Sequence, residues 1–483
     1  MTGEPSPLVT ELTPQAVRPT GRTACKHAVM TSILWLRRDL RRGDHPALAA
    51  AHADGPVVPL FVLDPAFFDD AGEPRQAWLA HTLRALDEAY DGRLCLRYGT
   101  PEQVVPALAT EVGASSVHVS AETEPDGAAR DARVEEALIE LDIAWVGTGS
   151  PYAVAPGRIR NQQGNPYRVF TPFSRAWREH GWRPPASEPR GLALSRAESD
   201  DAAWKKLDAA TTAAGLPELP PAGEQAAHQR WREFLDDRLA GYATDRDRPD
   251  LDGTSRLSPY LKFGVLHPRT LLADLPGRPP RGADAFGTEL AWREFYADVV
   301  HHHPDSLWHD LRPELSALAY DDDSDLVDAW RTGHTGYPLV DAGMRQLLAT
   351  GWMHNRVRMV TASFLAKDLH VWWPAGARHF LRHLIDGDPA SNNHGWQWVA
   401  GTGTDAAPYF RIFNPVQQGK KFDPDGDYVR RWIPELRQLS GAAVHEPWRS
   451  ADGYASGYPE RIVDHAEQRA VALERLAVAR STG

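Results

Sequence analysis

Two hydrophobic patterns divide the chain. From residue 31 to about residue 150, short apolar runs alternate with segments whose apolar residues recur every three or four positions. The runs predict strands at 32–38, 57–63, 94–98 and 116–120. Buried apolar strands that alternate with helices are typical of a parallel sheet covered on both faces. The pattern therefore predicts an α/β domain with a doubly wound, Rossmann-like sheet, although no G-x-G-x-x-G dinucleotide fingerprint follows the first strand.

The rest of the chain is helical in pattern. Residues 226–483 show one helical period after another, which predicts a large all-α domain. Residues 161–225 are rich in Pro, Gly, Ala and Ser and predict an interdomain linker with some short helices. The α/β domain is then expected over 31–160. Residues 1–30 have no period and predict a disordered extension, after which the structured pattern begins at once, so that Met30 is a candidate translation start.

Composition narrows the class of protein. With 42% hydrophobic and 24% charged residues among 483, the chain is typical of a globular protein, and no apolar run is long enough to span a membrane. Two cysteines exclude a disulfide scaffold and fit a cytoplasmic location, where we expect a monomer. A net charge of −12 excludes a general basic footprint for nucleic acid but not a local basic groove. The 17 tryptophans suit stacking on aromatic ligands or electron transfer, although each one alone is most simply a core residue.

A hydroxyl-rich turn precedes a predicted helix at 252–264. Thr254, Ser255 and Ser258, with Arg256 between them, offer hydroxyl and N–H groups that suit phosphate oxygens. The alternative interpretation, favoured by local chemistry alone, is that these hydroxyl residues are ordinary helix caps.

One helix stripe combines charge with aromatic rings. Glu289, Trp292, Arg293 and Tyr296 follow one another at helical spacing and share a face that could stack on and hydrogen-bond a base. The simpler alternative is an amphipathic helix with Trp292 in the core and a surface ion pair between Glu289 and Arg293.

Two further segments carry polar groups beside aromatic rings. Residues 386–398 hold two carboxylates, two asparagines and two tryptophans, and we expect a ligand-binding loop there because a helix seldom tolerates the sequence DGDP. Aromatic residues interleave with Arg411, Lys420 and Lys421 over 403–422, which suits a nucleic-acid backbone with stacked bases. The three histidines at 301–303 are adjacent and do not share a helix face, so no metal site is predicted.

Seven segments in order resemble the photolyase/cryptochrome family, specifically its class I cyclobutane pyrimidine dimer (CPD) photolyases. They are LWLRRDLRRGDHPAL, TSRLS, WREFY, TGYPLVDAGMRQL, GWMHNRVRM, NNHGWQW and GTDAAPYFRIFNP. The similarity extends over about residues 31 to 480. It implies FAD in the helical domain, fully reduced in the active form, an antenna chromophore in or beside the α/β domain, and UV-damaged DNA as the partner.

The resemblance also implies roles for individual residues. Asp386 is expected to pair with Arg358, and Asn392 to lie beside flavin N5 as a neutral amide that tolerates the reduced anion. The residues that match the family's cofactor site are Tyr242, Thr254, Ser255, Arg256, Leu257, Ser258, Arg358, Asp386, Gly387, Asp388 and Asn392. The residues that match its contacts with DNA and the lesion are Arg246, Glu289, Trp292, Arg293, Tyr296, Asn355, Arg356, Met359, Trp398 and Gln418.

The implied mechanism is light-driven and involves no net redox change. The antenna passes energy to reduced FAD, which gives one electron to a flipped-out dimer, the cyclobutane ring opens, and the electron returns. Glu289 would stabilise the dimer radical anion, with Trp292 and Trp398 stacked on the dimer. A separate tryptophan relay reduces oxidised flavin in the family; Trp396 and Trp373 match its first two positions, whereas the third falls on Tyr320, which predicts slower photoreduction or a route through Trp372 or Trp330.

Other positions bear on two alternative functions and on the identity of the antenna chromophore. A cryptochrome photoreceptor without repair is disfavoured by Asn392, and a (6-4) photolyase by Asn355 and Met359, where that relative has histidines. Folate-binding members carry Asn-Glu where this chain has Asp126-Gly127, so a hydroxy-deazaflavin is expected, with methenyltetrahydrofolate as the alternative.

Overall fold

Five parallel strands form the sheet of the N-terminal part in the computed structural model, which describes residues 30–312, 315, 318–404 and 411–482. The strands are β1 (Thr31–Leu36), β2 (Val57–Leu63), β3 (Cys95–Tyr98), β4 (Ala114–Val119) and β5 (Ala144–Gly147). Their order in the sheet is β3-β2-β1-β4-β5, with every neighbouring pair parallel. The prediction of a doubly wound parallel sheet is therefore confirmed. The predicted disordered extension lies, apart from Met30, outside the described residues.

The sequence pattern missed the fifth strand. β5 has four residues, pairs only with β4, and is partly exposed along its whole length. Such an edge strand lacks the continuous apolar run that marks β1 and β2, whose residues are almost all buried.

Five helices cover the two faces of the sheet. Each begins with a proline at one of its first positions, where a missing N–H costs no hydrogen bond. They are α1 (Pro46–Asp54), α2 (Pro65–Phe68), α3 (Glu73–Ala89), α4 (Pro101–Glu111) and α5 (Pro125–Ile139).

The segment over 161–225 contains two helices and packs against its surroundings. α6 (Phe170–His180) buries Phe170, Phe173 and Trp177 on one face, and α7 (Asp201–Thr211) packs on α3. Between them, the backbone of Ala193 and Ser195 exchanges hydrogen bonds with Val57 at the start of β2. This connection is thus held against both parts of the molecule.

The remainder of the chain is helical. Its α-helices are α8 (Glu224–Asp237), α9 (Tyr242–Asp245), α10 (Ser258–Lys262), α11 (Pro268–Ala273), α12 (Pro280–His302), α13 (Ser324–Thr332), α14 (Pro338–Thr350), α15 (Asn355–Lys367), α16 (Trp373–His383), α17 (Pro389–Ala400), α18 (Pro415–Phe422), α19 (Asp427–Trp432) and α20 (His465–Thr482). Short 3₁₀ helices lie at Pro304–Leu307, Pro434–Leu436, Gly441–His445 and Pro447–Arg449. The prediction of a largely all-α second part is confirmed, and among the described residues no helix is long and apolar enough to cross a membrane.

The two parts meet through close backbone contact and buried charge. Gly264 has φ +62°, and a Cβ there would lie 1.8 Å from the carbonyl oxygen of Arg38, so only glycine fits. The guanidinium of Arg38 lies 2.9 Å from Asp388 and also pairs with Glu124. Because Asp388 precedes α17, this ion pair joins the sheet domain to the helical site described next.

Candidate functional site

One cavity of about 540 Å³ opens into the helical part, between α10, α12, α15 and α17. All eleven residues predicted for a cofactor line it, together with nine of the ten predicted for DNA and lesion contact. The exception is Gln418, which lies on α18. Of the residues predicted for electron transfer, Trp396 lines the cavity, whereas Trp373 and Tyr320 do not.

In the part of the cavity around Asp386, which we call its inner end, a hydroxyl and a guanidinium converge on the Asp386 carboxylate. Ser258 Oγ donates to Asp386 Oδ2 at 2.5 Å, and Arg358 Nη2 donates to the same oxygen at 2.8 Å. The predicted pairing of Asp386 with Arg358 is therefore confirmed. The other carboxylate oxygen, Oδ1, is buried and has no hydrogen-bond partner among the described residues. A buried acceptor without a partner fits a ligand that donates a hydrogen bond there.

The predicted loop over 386–398 is wrong in its second part, because Pro389–Ala400 forms α17. Asp388 is the N-cap residue, and its side chain accepts a hydrogen bond from the backbone N–H of Ser391 at 2.9 Å. Pro389 follows as the first helical residue. DGDP thus starts a helix instead of interrupting one, since aspartate is a favoured cap and proline is tolerated at the first position.

Asp388 also stands in a strongly positive environment. Burial works to raise the pKa of this carboxyl, but the charges of Arg38 and Lys262 hold it well below its usual range. Lys262 lines the cavity, and burial lowers the pKa of its ammonium group. Sequence reasoning missed Lys262, because one lysine at the end of a short helix carries no signal of burial.

Asn392 lies on the first turns of α17 and faces the cavity. Its Nδ2 donates to the backbone oxygen of Ala377 at 3.2 Å and to Asn393 Oδ1 at 2.8 Å. Both amide hydrogens are thereby used within the protein. What Asn392 can offer a ligand is its oxygen, a hydrogen-bond acceptor.

Glu289 and Arg246 form an ion pair in another part of the cavity, which we call its outer end because about a third of each side chain is exposed. Arg246 Nη1 lies 2.7 Å from Glu289 Oε1. Burial raises the pKa of the Glu289 carboxyl, while the charge of Arg246 opposes that shift. The alternative surface pair of Glu289 with Arg293 is not formed. A second pair joins Arg356 Nη2 to Asp247 at 2.8 Å, so both arginines are held in place without DNA.

Trp292 and Arg293 line the cavity but are also engaged elsewhere. Trp292 stacks on Phe170 of α6, with ring centroids 3.6 Å apart and an interplanar angle of 6°. The Arg293 guanidinium donates to the carbonyl oxygens of Pro151 and Leu261. One face of the Trp292 ring is thus covered by protein, and Arg293 joins α12 to the end of the α/β domain and to α10.

The electron-transfer candidates lie on α16 or close to it. Trp396 packs against this helix so closely that a Cβ on Gly376 would lie 2.2 Å from its ring. Trp373, one turn away, is fully buried and donates its Nε1–H to Asp310 at 2.7 Å. Trp372 lies 6.4 Å from Trp373 and 6.5 Å from Tyr320, measured between ring centroids, and is 38% exposed.

Several residues that line the cavity could not be identified from the sequence. Besides Lys262, the cavity is lined by apolar residues that a helical period marks only as core; they include Leu261, Phe286, Leu290, Met353, Phe380 and Leu384. Across the described ranges, no group of three or more His, Cys, Asp or Glu side chains could hold a metal ion. Residues 405–410, part of the aromatic segment predicted to contact nucleic acid, lie outside the described residues.

Comparison with known proteins gives consistent matches. The family described as DNA photolyase matches residues 32–190, and the FAD binding domain of DNA photolyase matches residues 286–478. A deoxyribodipyrimidine photo-lyase of Vibrio cholerae is 40% identical over 460 residues, covering 91% of this chain and 98% of the relative. One of Streptomyces griseus is 42% identical over 451 residues, covering 91% and 97%. A crystal structure of a class III photolyase from Agrobacterium tumefaciens superposes with a TM-score of 0.87 at 36% identity, covering 95% of this chain and all of the other.

Proposed function

The chain belongs to the DNA photolyase family, and from this membership we propose that it is a light-driven deoxyribodipyrimidine photo-lyase, an enzyme that splits cyclobutane pyrimidine dimers in UV-damaged DNA with reduced FAD. One observation carries the proposal: a single cavity is lined by all eleven predicted cofactor residues and by nine of the ten predicted lesion contacts. A cofactor bound at its inner end and a base flipped into its outer end would therefore be neighbours.

The inner end suits FAD. Thr254, Ser255 and Ser258 supply hydroxyl groups at the start of α10, the type of group that binds phosphate oxygens. The unpartnered Asp386 Oδ1 would accept a hydrogen bond from the flavin ring system. When bound in its reduced form, FAD supplies the light-driven one-electron chemistry that protein side chains lack.

Asn392 would hold the reduced state of the ring. Its amide hydrogens are already donated to Ala377 and Asn393, which leaves its oxygen as an acceptor for a ring N–H that only reduced flavin carries. Because the side chain is neutral, it does not repel a reduced anion as an aspartate would.

The outer end suits a pair of bases taken out of the duplex. An enzyme that acts on atoms inside the base stack must flip them out, and a damaged pair is less costly to unstack. Trp398 and Met359 offer apolar surface for the flipped dimer, and Asn355 offers hydrogen bonds to its base edges. Because one face of Trp292 is covered by Phe170, only its other face or its edge could meet the lesion.

Glu289 would stabilise negative charge on the dimer. Burial already favours its protonated form, and entry of a lesion would exclude more water. A protonated carboxyl can donate a hydrogen bond to a thymine carbonyl oxygen, whereas an ionised one would repel the charge. Arg246, which lies 2.7 Å away, would be drawn from Glu289 toward a backbone phosphate.

For the antenna, we propose a hydroxy-deazaflavin in or beside the α/β domain rather than methenyltetrahydrofolate. The Asn-Glu pair of the folate-binding pattern would require a side chain at position 127. A Cβ on Gly127 would lie 2.5 Å from the Glu122 side chain, so position 127 does not accept one without rearrangement. The absorption spectrum of the chromophore released from protein purified from its native host separates the two, since folate and deazaflavin differ in their bands.

The test is repair by chemically reduced protein of an oligonucleotide that holds one thymine dimer, under blue light and in the dark. We expect thymine to be restored only in the light. Glu289→Gln, which can still donate a hydrogen bond from its amide, should repair more slowly per absorbed photon by roughly tenfold or less, and Glu289→Ala by more. Affinity for the lesion should change less than the rate in both variants. Absence of repair by wild-type protein with reduced FAD bound would contradict the proposal and indicate a photoreceptor.

A further inference from the structure

An arginine-rich stretch lies beside the rim of the cavity. We define the arginine segment as residues 157–183, which end the sheet domain and include α6. It contains six arginines and one acidic residue, Glu179, in a chain whose net charge is −12. The arginines are Arg158, Arg160, Arg168, Arg175, Arg178 and Arg183. None of them was singled out by a sequence motif.

The arginine segment is fixed to the back of α12. The Glu294 carboxylate accepts hydrogen bonds from the backbone N–H of Val154 at 3.1 Å and from Trp177 Nε1 at 2.5 Å. One turn further on, Asp298 accepts from the backbone N–H of Gly157 at 2.7 Å. Both carboxylates are buried. The segment is therefore attached through Gly157 and Trp177 to α12, the helix that also carries Glu289.

Two contacts place the arginine segment next to the lesion end of the cavity. Phe170 stacks on Trp292, which lines the cavity. Arg178 Nη2 donates to Thr288 Oγ1 at 2.9 Å, and Thr288 is adjacent to Glu289. The basic stretch thus borders the site on the side of α12.

The charge of the segment is not compensated by protein. Arg158, Arg168, Arg175 and Arg183 are exposed, and within the described part of the chain none of the four forms an ion pair. Many other exposed arginines do, as Arg84 does with Asp208 at 2.6 Å. A surface arginine needs no partner, but several together beside a nucleic-acid site create a positive potential in an otherwise acidic molecule.

We propose that the arginine segment binds backbone phosphates of the duplex that flanks the lesion, and so extends the DNA site beyond the cavity. This inference rests on the proposed function. Guanidinium groups suit phosphate oxygens because they donate two parallel hydrogen bonds. The segment carries a single carboxylate, Glu179, against six arginines, so its surface suits an anionic partner. It would supply affinity that does not depend on base sequence, while the cavity supplies recognition of the lesion.

The test removes four charges and measures binding to DNA. The variant carries Arg158→Gln, Arg168→Gln, Arg175→Gln and Arg183→Gln, which leave Arg178 and its contact with Thr288 intact. Its affinity for a 30-base-pair duplex with one thymine dimer, measured by fluorescence anisotropy, should fall by roughly tenfold or more at low salt. The slope of log K against log salt concentration should become shallower by about 2 to 4, because each lost phosphate contact contributes about 0.9.

A control variant removes the same number of exposed charges elsewhere, through Arg93→Gln, Arg196→Gln, Arg469→Gln and Arg480→Gln. It should keep most of the affinity and the wild-type slope. A duplex affinity and slope in the segment variant that match those of the control would overturn the inference. FAD content and circular dichroism report whether either variant is folded.

A single-stranded pentanucleotide centred on the dimer separates this inference from the proposed function. It can fill the cavity but is too short to reach the segment, so the segment variant should repair it in the light at the wild-type rate. Slower repair of this short substrate would place the defect in the cavity and overturn the inference. If wild-type protein repairs neither substrate, the proposed function fails, whereas phosphate binding by the segment is still read from the salt dependence on undamaged duplex.

Discussion

Asp386 receives two hydrogen bonds on one oxygen and none on the other. Its pairing with Arg358 could be predicted from the sequence, because the family resemblance assigns both residues to the cofactor site. The ion pair of Glu289 with Arg246 could not, because Arg246 lies 43 positions away along the chain, directly after α9, and nothing local indicates the contact. Side-chain pairs within a recognised motif are thus predictable, whereas pairs between helices depend on packing.

Asp386→Asn tests the inner end of the cavity. The amide would lose the charge that balances Arg358, and one of its two polar atoms would become a donor facing a site that needs an acceptor. Because a hydrogen bond to a charged group contributes about 1.5–3 kcal/mol, we expect FAD to bind about 10- to 100-fold more weakly. The FAD content after dialysis and a titration with FAD measure this.

A matched control is Asp208→Asn, which removes a carboxylate from an exposed ion pair with Arg84. It should retain FAD like the wild type, since exposed ion pairs contribute little. Equal FAD affinity in Asp386→Asn and the control would show that Asp386 does not contact the cofactor.

Among the helices, α12 has two roles: one side lines the cavity, and buried carboxylates on it hold the preceding part of the chain. Glu289, Trp292 and Tyr296 line the cavity, as their spacing predicts. Glu294 and Asp298 are buried and hold the end of the α/β domain, and Glu294 also holds Trp177 of the linker. The pattern missed this second role because a buried carboxylate within a helix resembles a surface charge in sequence. The start of α17 was missed because the sequence DGDP is typical of a helix break. Here its second aspartate, Asp388, caps the helix.

Glu294 makes the docking of the linker dependent on pH. Burial raises the pKa of Glu294 to about 7, far above that of the unfolded chain, although the hydrogen bonds that it accepts oppose the shift. Between about pH 4.5 and pH 7, the folded state therefore holds a proton that the unfolded state has lost, and this group makes the folded state less stable as the pH rises.

Glu294→Gln removes this dependence. The variant and the wild type should have similar stability near pH 5. Toward pH 8, the free energy of unfolding of the variant should exceed that of the wild type by up to about 3 kcal/mol. Melting temperatures of both proteins across that range measure the difference. A difference in melting temperature that stays constant with pH would show that Glu294 is ionised throughout. Asp298, whose pKa burial raises to about 6, titrates in both proteins and cancels in the comparison.

At the scale of the whole molecule, buried charges and aromatic rings connect distant parts. Arg38 joins the sheet to α17 through Asp388, and the Trp373 and Trp372 rings lead from the cavity side of α16 toward the surface. The sequence predicted the α/β and all-α division and four of five strands. The packing of the two parts on each other could not be predicted, because it rests on contacts such as that of Gly264 with Arg38.

If the predicted relay runs through Trp396, Trp373 and Tyr320, photoreduction and repair should be separable. Trp373→Phe should slow light-driven reduction of oxidised FAD by at least about tenfold, because phenylalanine cannot donate an electron at this potential. Repair by chemically reduced protein should remain near the wild-type rate.

Tyr320→Trp should accelerate photoreduction, since burial raises the pKa of Tyr320 and tyrosine must lose a proton to be oxidised stably. Flash photolysis of the flavin absorbance measures both, and equal photoreduction rates in Trp373→Phe and wild type would contradict the relay.

The most direct test of the whole account is the choice of lesion. Chemically reduced protein is illuminated without oxygen, with one oligonucleotide that holds a cyclobutane thymine dimer and another that holds a (6-4) photoproduct, beside dark samples of each. The cavity offers Asn355 and Met359 at the lesion end, and the described residues that line it include no histidine to transfer protons to a (6-4) lesion. We predict restored thymine only in the light and only from the cyclobutane dimer. Repair of the (6-4) photoproduct, or of neither lesion by protein with FAD bound, would contradict the account.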